Sequence, residues 1–301
     1  MSYAPLWESA ARELEELRNR PSETLPQIDS VDGTVATRVA HWARTRPETT
    51  AVHFYGRDIT YAELDDLADR AAGWLRSRGV NTGDRVALYM GNCPQYLILF
   101  VAIMRLGAVL VPVNPMFRAN DFTYEINDSS PKVVVAQEEL REVVEASNAG
   151  LDSVPHVAYT RLSDTLTATP VPRAPFDREE VSGDWQEITN TAPLAERPEV
   201  DPASLAALNY TGGTTGLPKG CEHTHEHMVY TALSTLAVRG VRPGDKPEVY
   251  LCFLPIFWIA GENAGILNPL IDGSTVVLLT RYHPDAVSVS YTHLTLPTTP
   301  Y

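Results

Sequence analysis

The chain has 301 residues, of which 44% are apolar, enough to bury one large core or two smaller ones of the usual roughly 100 to 200 residues. Asp and Glu outnumber Lys and Arg by 38 to 24, and the net charge of -14 leaves no basic patch for nucleic acid or an anionic membrane surface. The apolar stretches 97–103 and 249–253 fall far short of the roughly 20 residues a membrane-spanning helix needs, so no integral membrane segment is expected. Residues 1–20 carry Glu8, Glu13, Glu15 and Glu16 where a signal peptide needs a basic start and an apolar centre, which points to the cytoplasm. Cys93, Cys221 and Cys252 are widely spaced, form no C-x-x-C pair, and read as reduced thiols.

Short β-branched runs alternate with amphipathic helices, the pattern of an α/β fold in which layered parallel sheets are flanked by helices. Residues 1–34 read as an N-terminal extension and 35–160 as a first α/β subdomain. The first clear helix is expected over 61–78, where Leu64, Leu67, Ala68, Ala71, Ala72 and Leu75 recur three or four apart on one face. Thr60 and Glu63 suggest a capping box at its start, and Gly79 suits the left-handed turn at its end. A strand over 85–90, a helix over 92–106 capped by Asn92 with Gln95, and a strand over 108–113 complete a βαβ unit. A second round has a short helix near 121–127, a strand at 132–136, a helix at 138–146 and a strand at 156–160. Residues 161–202, rich in proline and without sustained period, read as a long surface connection with a short strand near 185–188. The second α/β subdomain, 203–287, holds a strand at 205–210, a glycine-rich loop, a helix over about 226–238, a strand at 248–254, a helix through Glu262 and a strand at 274–280.

The loop is the most informative segment. Tyr210-Thr211-Gly212-Gly213-Thr214-Thr215-Gly216-Leu217-Pro218-Lys219-Gly220 directly follows an apolar strand. Glycines let backbone N–H groups reach phosphate oxygens, threonine hydroxyls add donors, and the lysine brings a compact positive charge. It is not the P-loop of the NTPases, which requires Gly before the lysine and Ser or Thr after it; here Pro218 precedes and Gly220 follows. The bland reading is a mobile surface loop that happens to be rich in Gly and Thr.

In this order the loop residues resemble the Y-T-S-G-T-T-G-x-P-K-G signature of adenylate-forming enzymes, the family of acyl-CoA synthetases, firefly-type luciferases and peptide-synthetase adenylation domains. Gly213 stands where that family usually has Ser, which removes one donor and leaves the backbone cradle. The resemblance extends over about 35–287. Ile59-Thr60-Tyr61-Ala62-Glu63-Leu64 is similar to the family's L-T-Y-x-E-L, and 106–115 to its G-A-x-x-V-P-x-N-P strand. Arg118 and Asn127-Asp128-Ser129 resemble fatty acyl-CoA ligases more than peptide synthetases. Leu254-Pro255-Ile256-Phe257-Trp258-Ile259-Ala260-Gly261 is similar to L-P-x-F-H-x-x-G, with Trp258 in place of the histidine that gates the acyl and nucleotide sites.

The resemblance implies activation of a small-molecule carboxylic acid, a fatty acid by preference, by attack on the α-phosphate of ATP, then thiolysis by CoA, with Mg²⁺ as the metal. It implies that Thr211, Gly212, Gly213, Thr214, Thr215, Gly216 and Lys219 grip the ATP phosphates, and that Trp258 walls the acyl and nucleotide sites. The catalytic lysine and the glutamate for Mg²⁺ are expected beyond the chain, so no catalytic residue is assigned within it. A weak or inactive nucleotide-binding module, or an enzyme for an aryl acid, are the competing readings.

Gly261, Glu262 and Asn263 either line an acyl pocket or face solvent. His223, His225 and His227 with Glu222 and Glu226 suggest a metal cluster, but i, i+2 spacing turns neighbouring histidines to different helix faces, and solvated residues at a helix start are the better account. Residues 288–301, rich in Thr, Pro and β-branched residues without a helical period, read as a tail foreign to the pattern before them.

Overall fold

The computed structural model describes residues 33–166, 174–176, 179–212 and 217–287. The chain enters through helix α1 (Val35–Thr45), the hairpin β1 (Thr50–Phe54) and β2 (Arg57–Thr60), and helix α2 (Tyr61–Ser77). Then come β3 (Arg85–Tyr89), α3 (Pro94–Leu106), β4 (Val109–Val113), α4 (Ala119–Ser129), β5 (Val133–Gln137), α5 (Arg141–Ser147) and β6 (His156–Thr160). After the connection, with its helix α6 (Gly183–Asn190), follow β7 (Leu205–Thr211), β8 (Lys219–Thr224), α7 (His225–Arg239) and β9 (Val249–Cys252). A helical run of α8 (Ile259–Glu262), a π turn (Asn263–Leu267) and α9 (Asn268–Asp272) leads to β10 (Thr275–Leu278).

The strands form two sheets, ordered β6-β5-β3-β4-β7-β8 and β2-β1-β10-β9. Both are parallel except at one edge, where β8 runs antiparallel to β7 and β2 antiparallel to β1. Segments from either side of 161–202 contribute to each sheet: β7 lies beside β4, while β1 pairs with β10 through Val52↔Val276. In β3 and β5 successive residues point to opposite faces, and both faces are covered. Val86, Leu88, Val133 and Val135 join the main core, whereas Ala87, Tyr89, Val134 and Ala136 pack with Phe122 and Ile126 of α4. Helix α3 is buried along its whole length, as its unbroken run of apolar residues dictates. Its one charge, Arg105, is held by Asp65 and Asp69 of α2, which Arg197 of the connection also binds.

Several local expectations need correction. The first helix is α1, not the one at 61: Val35, Ala36, Val39 and Ala40 bury one face, and Thr34 and Thr37 cap each other. At α2, Thr60 does accept from the Glu63 N–H at 3.2 Å, but the Glu63 carboxylate turns to Arg57, so the box is half made. Gly79 is left-handed, at φ +81°, as expected. Cys93, not Asn92, occupies the cap of α3, with Pro94 supplying a helical φ and losing no needed N–H. The stretch 185–188 is helix α6, not a strand; Ser182 caps it, and the buried Trp185 and Ile188 lie three apart. Strand β8 was not expected, and α7 opens at His225 behind Thr224. The tail 288–301 lies outside the described residues.

Candidate functional site

Strand β7 carries the loop on its carboxyl end, the end at which open α/β sheets bind ligands. Its last residues alternate between roles. Asn209 is buried, Tyr210 is half-buried, and Thr211 is exposed. Strand β8 returns in register, pairing Asn209 with Cys221, Tyr210 with Gly220 and Thr211 with Lys219. The two ends of the loop are therefore held side by side, Thr211 facing Lys219, with the Thr211 hydroxyl 3.5 Å from the Lys219 carbonyl. The Lys219 side chain is exposed, and the space around the Cα of Gly212 is open. Gly213, Thr214, Thr215 and Gly216 lie outside the described residues.

Gly220 is a glycine for a packing reason. A side chain there would press on the ring of Tyr210, which lies 3.3 to 3.5 Å from where its Cβ would sit. The Tyr210 hydroxyl donates to Asp128 at 2.5 Å, and that of Tyr124 donates to the Pro218 carbonyl at 2.7 Å. Both acceptors and donors across this seam are far apart in sequence, so α4 supports the hairpin through contacts no local pattern announces. Beside them Glu125 is buried, and burial, aided by the charge of Asp128, pushes its carboxyl up to about 8.

The second group of candidates follows β9. Gly261 packs so closely that a Cβ would overlap the carbonyl oxygen of Pro255, so only glycine lets α8 lie on that turn. Glu262 is fully buried, which overturns its solvent-facing reading. Its Oε2 accepts from Asn209 Nδ2 at 3.2 Å, tying α8 to the strand below the loop, while Oε1 has no partner. Burial raises its carboxyl to about 7, with the Asn209 bond pulling the other way. Asn263 is half-buried, with its Oδ1 unpartnered, and opens the π turn, a distortion common at functional sites. Trp258 stands 48% exposed, edge-on to Phe257 with ring centroids 5.3 Å apart.

The histidines do not gather. His225 is fully buried with both ring nitrogens unpartnered, against the solvated reading, and burial lowers its pKa to about 4. Thr224 caps α7, its Oγ1 accepting from the His227 N–H at 3.1 Å, and His227 Nδ1 accepts in turn from the Thr224 N–H at 3.3 Å. Among the described residues no three His, Cys, Asp or Glu side chains are grouped to hold a metal ion, and no helix is long and apolar enough to cross a membrane. Reading the sequence missed Tyr124 and Asn209, and singled out Asp128 by resemblance without its bond to Tyr210; these are the partners that fix this region. Asn209, polar inside an apolar strand, was the one visible signal.

Comparison with known proteins gives the family and the fold. The family model described as AMP-binding enzyme matches residues 39–298. A long-chain-fatty-acid–CoA ligase of Bacillus subtilis is 26% identical over 285 residues, covering 89% of this chain and 50% of that protein. The human protein "Acetyl-coenzyme A synthetase 2-like, mitochondrial" is 30% identical over 257 residues, covering 81% of this chain and 35% of that one. The crystal structure of the anthranilate CoA ligase AuaEII in complex with anthranoyl-AMP superposes with a TM-score of 0.73 at 20% identity, over 87% of this chain and 48% of that one. The chain thus spans half or less of the length of these relatives.

Proposed function

The chain belongs to the AMP-binding enzyme family, and on that premise we propose that it carries the phosphate-gripping hairpin of an ATP-dependent acid–CoA ligase that works through an acyl-AMP. One observation carries the reading. The β7–β8 register sets Thr211 opposite Lys219 at the open mouth of the Gly/Thr loop, on the carboxyl end of a sheet strand. A threonine hydroxyl and an ammonium at that mouth, joined by the glycines and threonines that the sequence puts between them, suit the β- and γ-phosphates of ATP, whose charge must be neutralised as pyrophosphate leaves. Mg²⁺ arriving with the nucleotide would screen the same charge. These donors bind and orient; the acid's carboxylate attacks the neighbouring α-phosphate and displaces pyrophosphate, and the CoA thiol then attacks the acyl carbonyl and displaces AMP.

Relatives named for long-chain fatty acid, acetyl and anthranilate ligases support the reaction class and leave the acid open. We favour a fatty acid from the resemblance at Arg118 and 127–129. We assign Gly261, Glu262 and Asn263 to the acyl side and Trp258 to the gate, supported by the Glu262–Asn209 bond that joins the acyl-side turn to the loop strand.

Lys219→Met tests the assignment, because it removes the one cation in the loop and keeps much of the stem. In ATP–pyrophosphate exchange by the full-length enzyme the variant is expected to lose about 5- to 150-fold, the worth of one charge-assisted contact, with the loss falling on ATP and the KM for the acid unmoved. Unchanged ATP kinetics at saturating acid and CoA would show that the loop is structural.

A further inference from the structure

The face of α4 that meets the hairpin presents Tyr124 and Asp128, four residues and so one turn apart. The two grip the residues on either side of Lys219. Tyr124 donates to the carbonyl of Pro218, and Asp128 accepts from Tyr210, whose ring lies against Gly220. Pro218 has no N–H, so its carbonyl is its only backbone hydrogen-bonding group. The peptide joining Pro218 to Lys219 is planar, so an oxygen held at 2.7 Å by Tyr124 also sets the direction of the Lys219 N–H.

We propose that α4 is a brace that presets the mouth of the phosphate loop, with Tyr124 as a positioning residue that acts on nucleotide through the Pro218–Lys219 peptide. The proposal rests on reading 211–219 as a phosphate loop. Its physical content is preorganisation: a Pro218–Lys219 peptide already held in place loses less freedom when phosphate binds. Tyr124 is half-buried and its hydroxyl reaches across 94 residues of sequence to a single carbonyl, so removing that oxygen loosens one peptide and leaves both cores filled.

The test is Tyr124→Phe in this chain, read in two ways. Without nucleotide, amide hydrogen exchange at Lys219 and Gly220 is expected to quicken several-fold while the amides of β3 and β4 keep wild-type rates. Unchanged exchange at Lys219 and Gly220 overturns the brace, and so does quickening throughout the sheet, which would make Tyr124 a general packing residue. With MgATP titrated by calorimetry, the variant's Kd is expected to rise about 2- to 12-fold, the worth of one neutral hydrogen bond. Asp128→Asn, which keeps an oxygen acceptor for Tyr210, is expected to bind nearly as wild type. A wild-type Kd matched by Tyr124→Phe overturns the brace. A wild-type chain that gains no protection at 217–220 with MgATP instead sinks the phosphate-loop reading, and the nucleotide-free exchange still decides the brace.

Discussion

Glu262 is a carboxylic acid held in an apolar setting by one amide, and its proton couples the site to pH. With its folded pKa raised to about 7 from an ordinary 4.5, the folded state binds more protons than the unfolded one between those values, so its contribution to stability falls as pH rises through about 7. Glu262→Gln keeps the shape and an oxygen for Asn209 but cannot ionise. Relative to wild type it is expected to gain up to about 3 kcal/mol between pH 5 and pH 8 in urea unfolding. A difference between the two proteins that does not change with pH would contradict this. At this scale the loop was legible because its chemistry is contiguous, 210 to 220, and glycine, threonine and lysine in sequence speak for themselves. Tyr124 was not, because nothing in α4 says that a hydroxyl will meet a carbonyl 94 residues later.

Elements with strong periodicity declared themselves, and those whose identity depends on partners did not. Helix α6 sits among prolines and acidic residues, and its Trp185 and Ile188 suit a strand as well as a helix by type; what decides it is that both must reach one face, against β6 and α2. Strand β8 carries Lys219, Glu222 and His223, a polar sequence that only pairing with β7 makes a strand. The junction of α2 and α3 shows the same dependence. Arg105 is 3% exposed and bonds the Asp65 carbonyl at 2.8 Å and Asp69 Oδ1 at 2.9 Å. Replacing it by Met leaves two carboxylates with only the more exposed Arg197, so Arg105→Met is expected to cost about 3 to 5 kcal/mol. Arg197→Met, at a side chain 36% exposed, should cost about 1 kcal/mol or less. Equal losses in thermal unfolding of the two variants would show that the pair is not ranked by burial.

Across the whole molecule, one side chain ties the two sheets together. Asn92, expected as a helix cap, instead donates to the carbonyls of Leu254 and Leu279, each at 2.9 Å, and accepts from the Ile256 N–H at 2.9 Å. It leaves β3 of the larger sheet and binds the turns after β9 and β10 of the smaller one. Asn92→Ala leaves two buried backbone groups and one partly buried one without this partner and is expected to cost about 2 to 4 kcal/mol in denaturant unfolding. Asn92→Asp, which offers carboxylate oxygens to two carbonyls, should be no better than Ala at pH 7, and a near wild-type midpoint for it would remove the clip from the account. The interleaving of the sheets was invisible in sequence, since pairing partners are not written in either strand. It also has a consequence in time. The Thr275 hydroxyl donates to the Thr50 carbonyl at 2.6 Å across 225 residues, where β10 lies against β1. At the roughly 5 to 20 residues per second of synthesis, the nascent β1–β2 hairpin waits on the order of 10 to 45 s for that neighbour, one long edge unpaired, while the strands of the six-stranded sheet are already made. The smaller sheet is thus expected to complete later in synthesis than the larger one, with β1 the strand that waits longest for its neighbour.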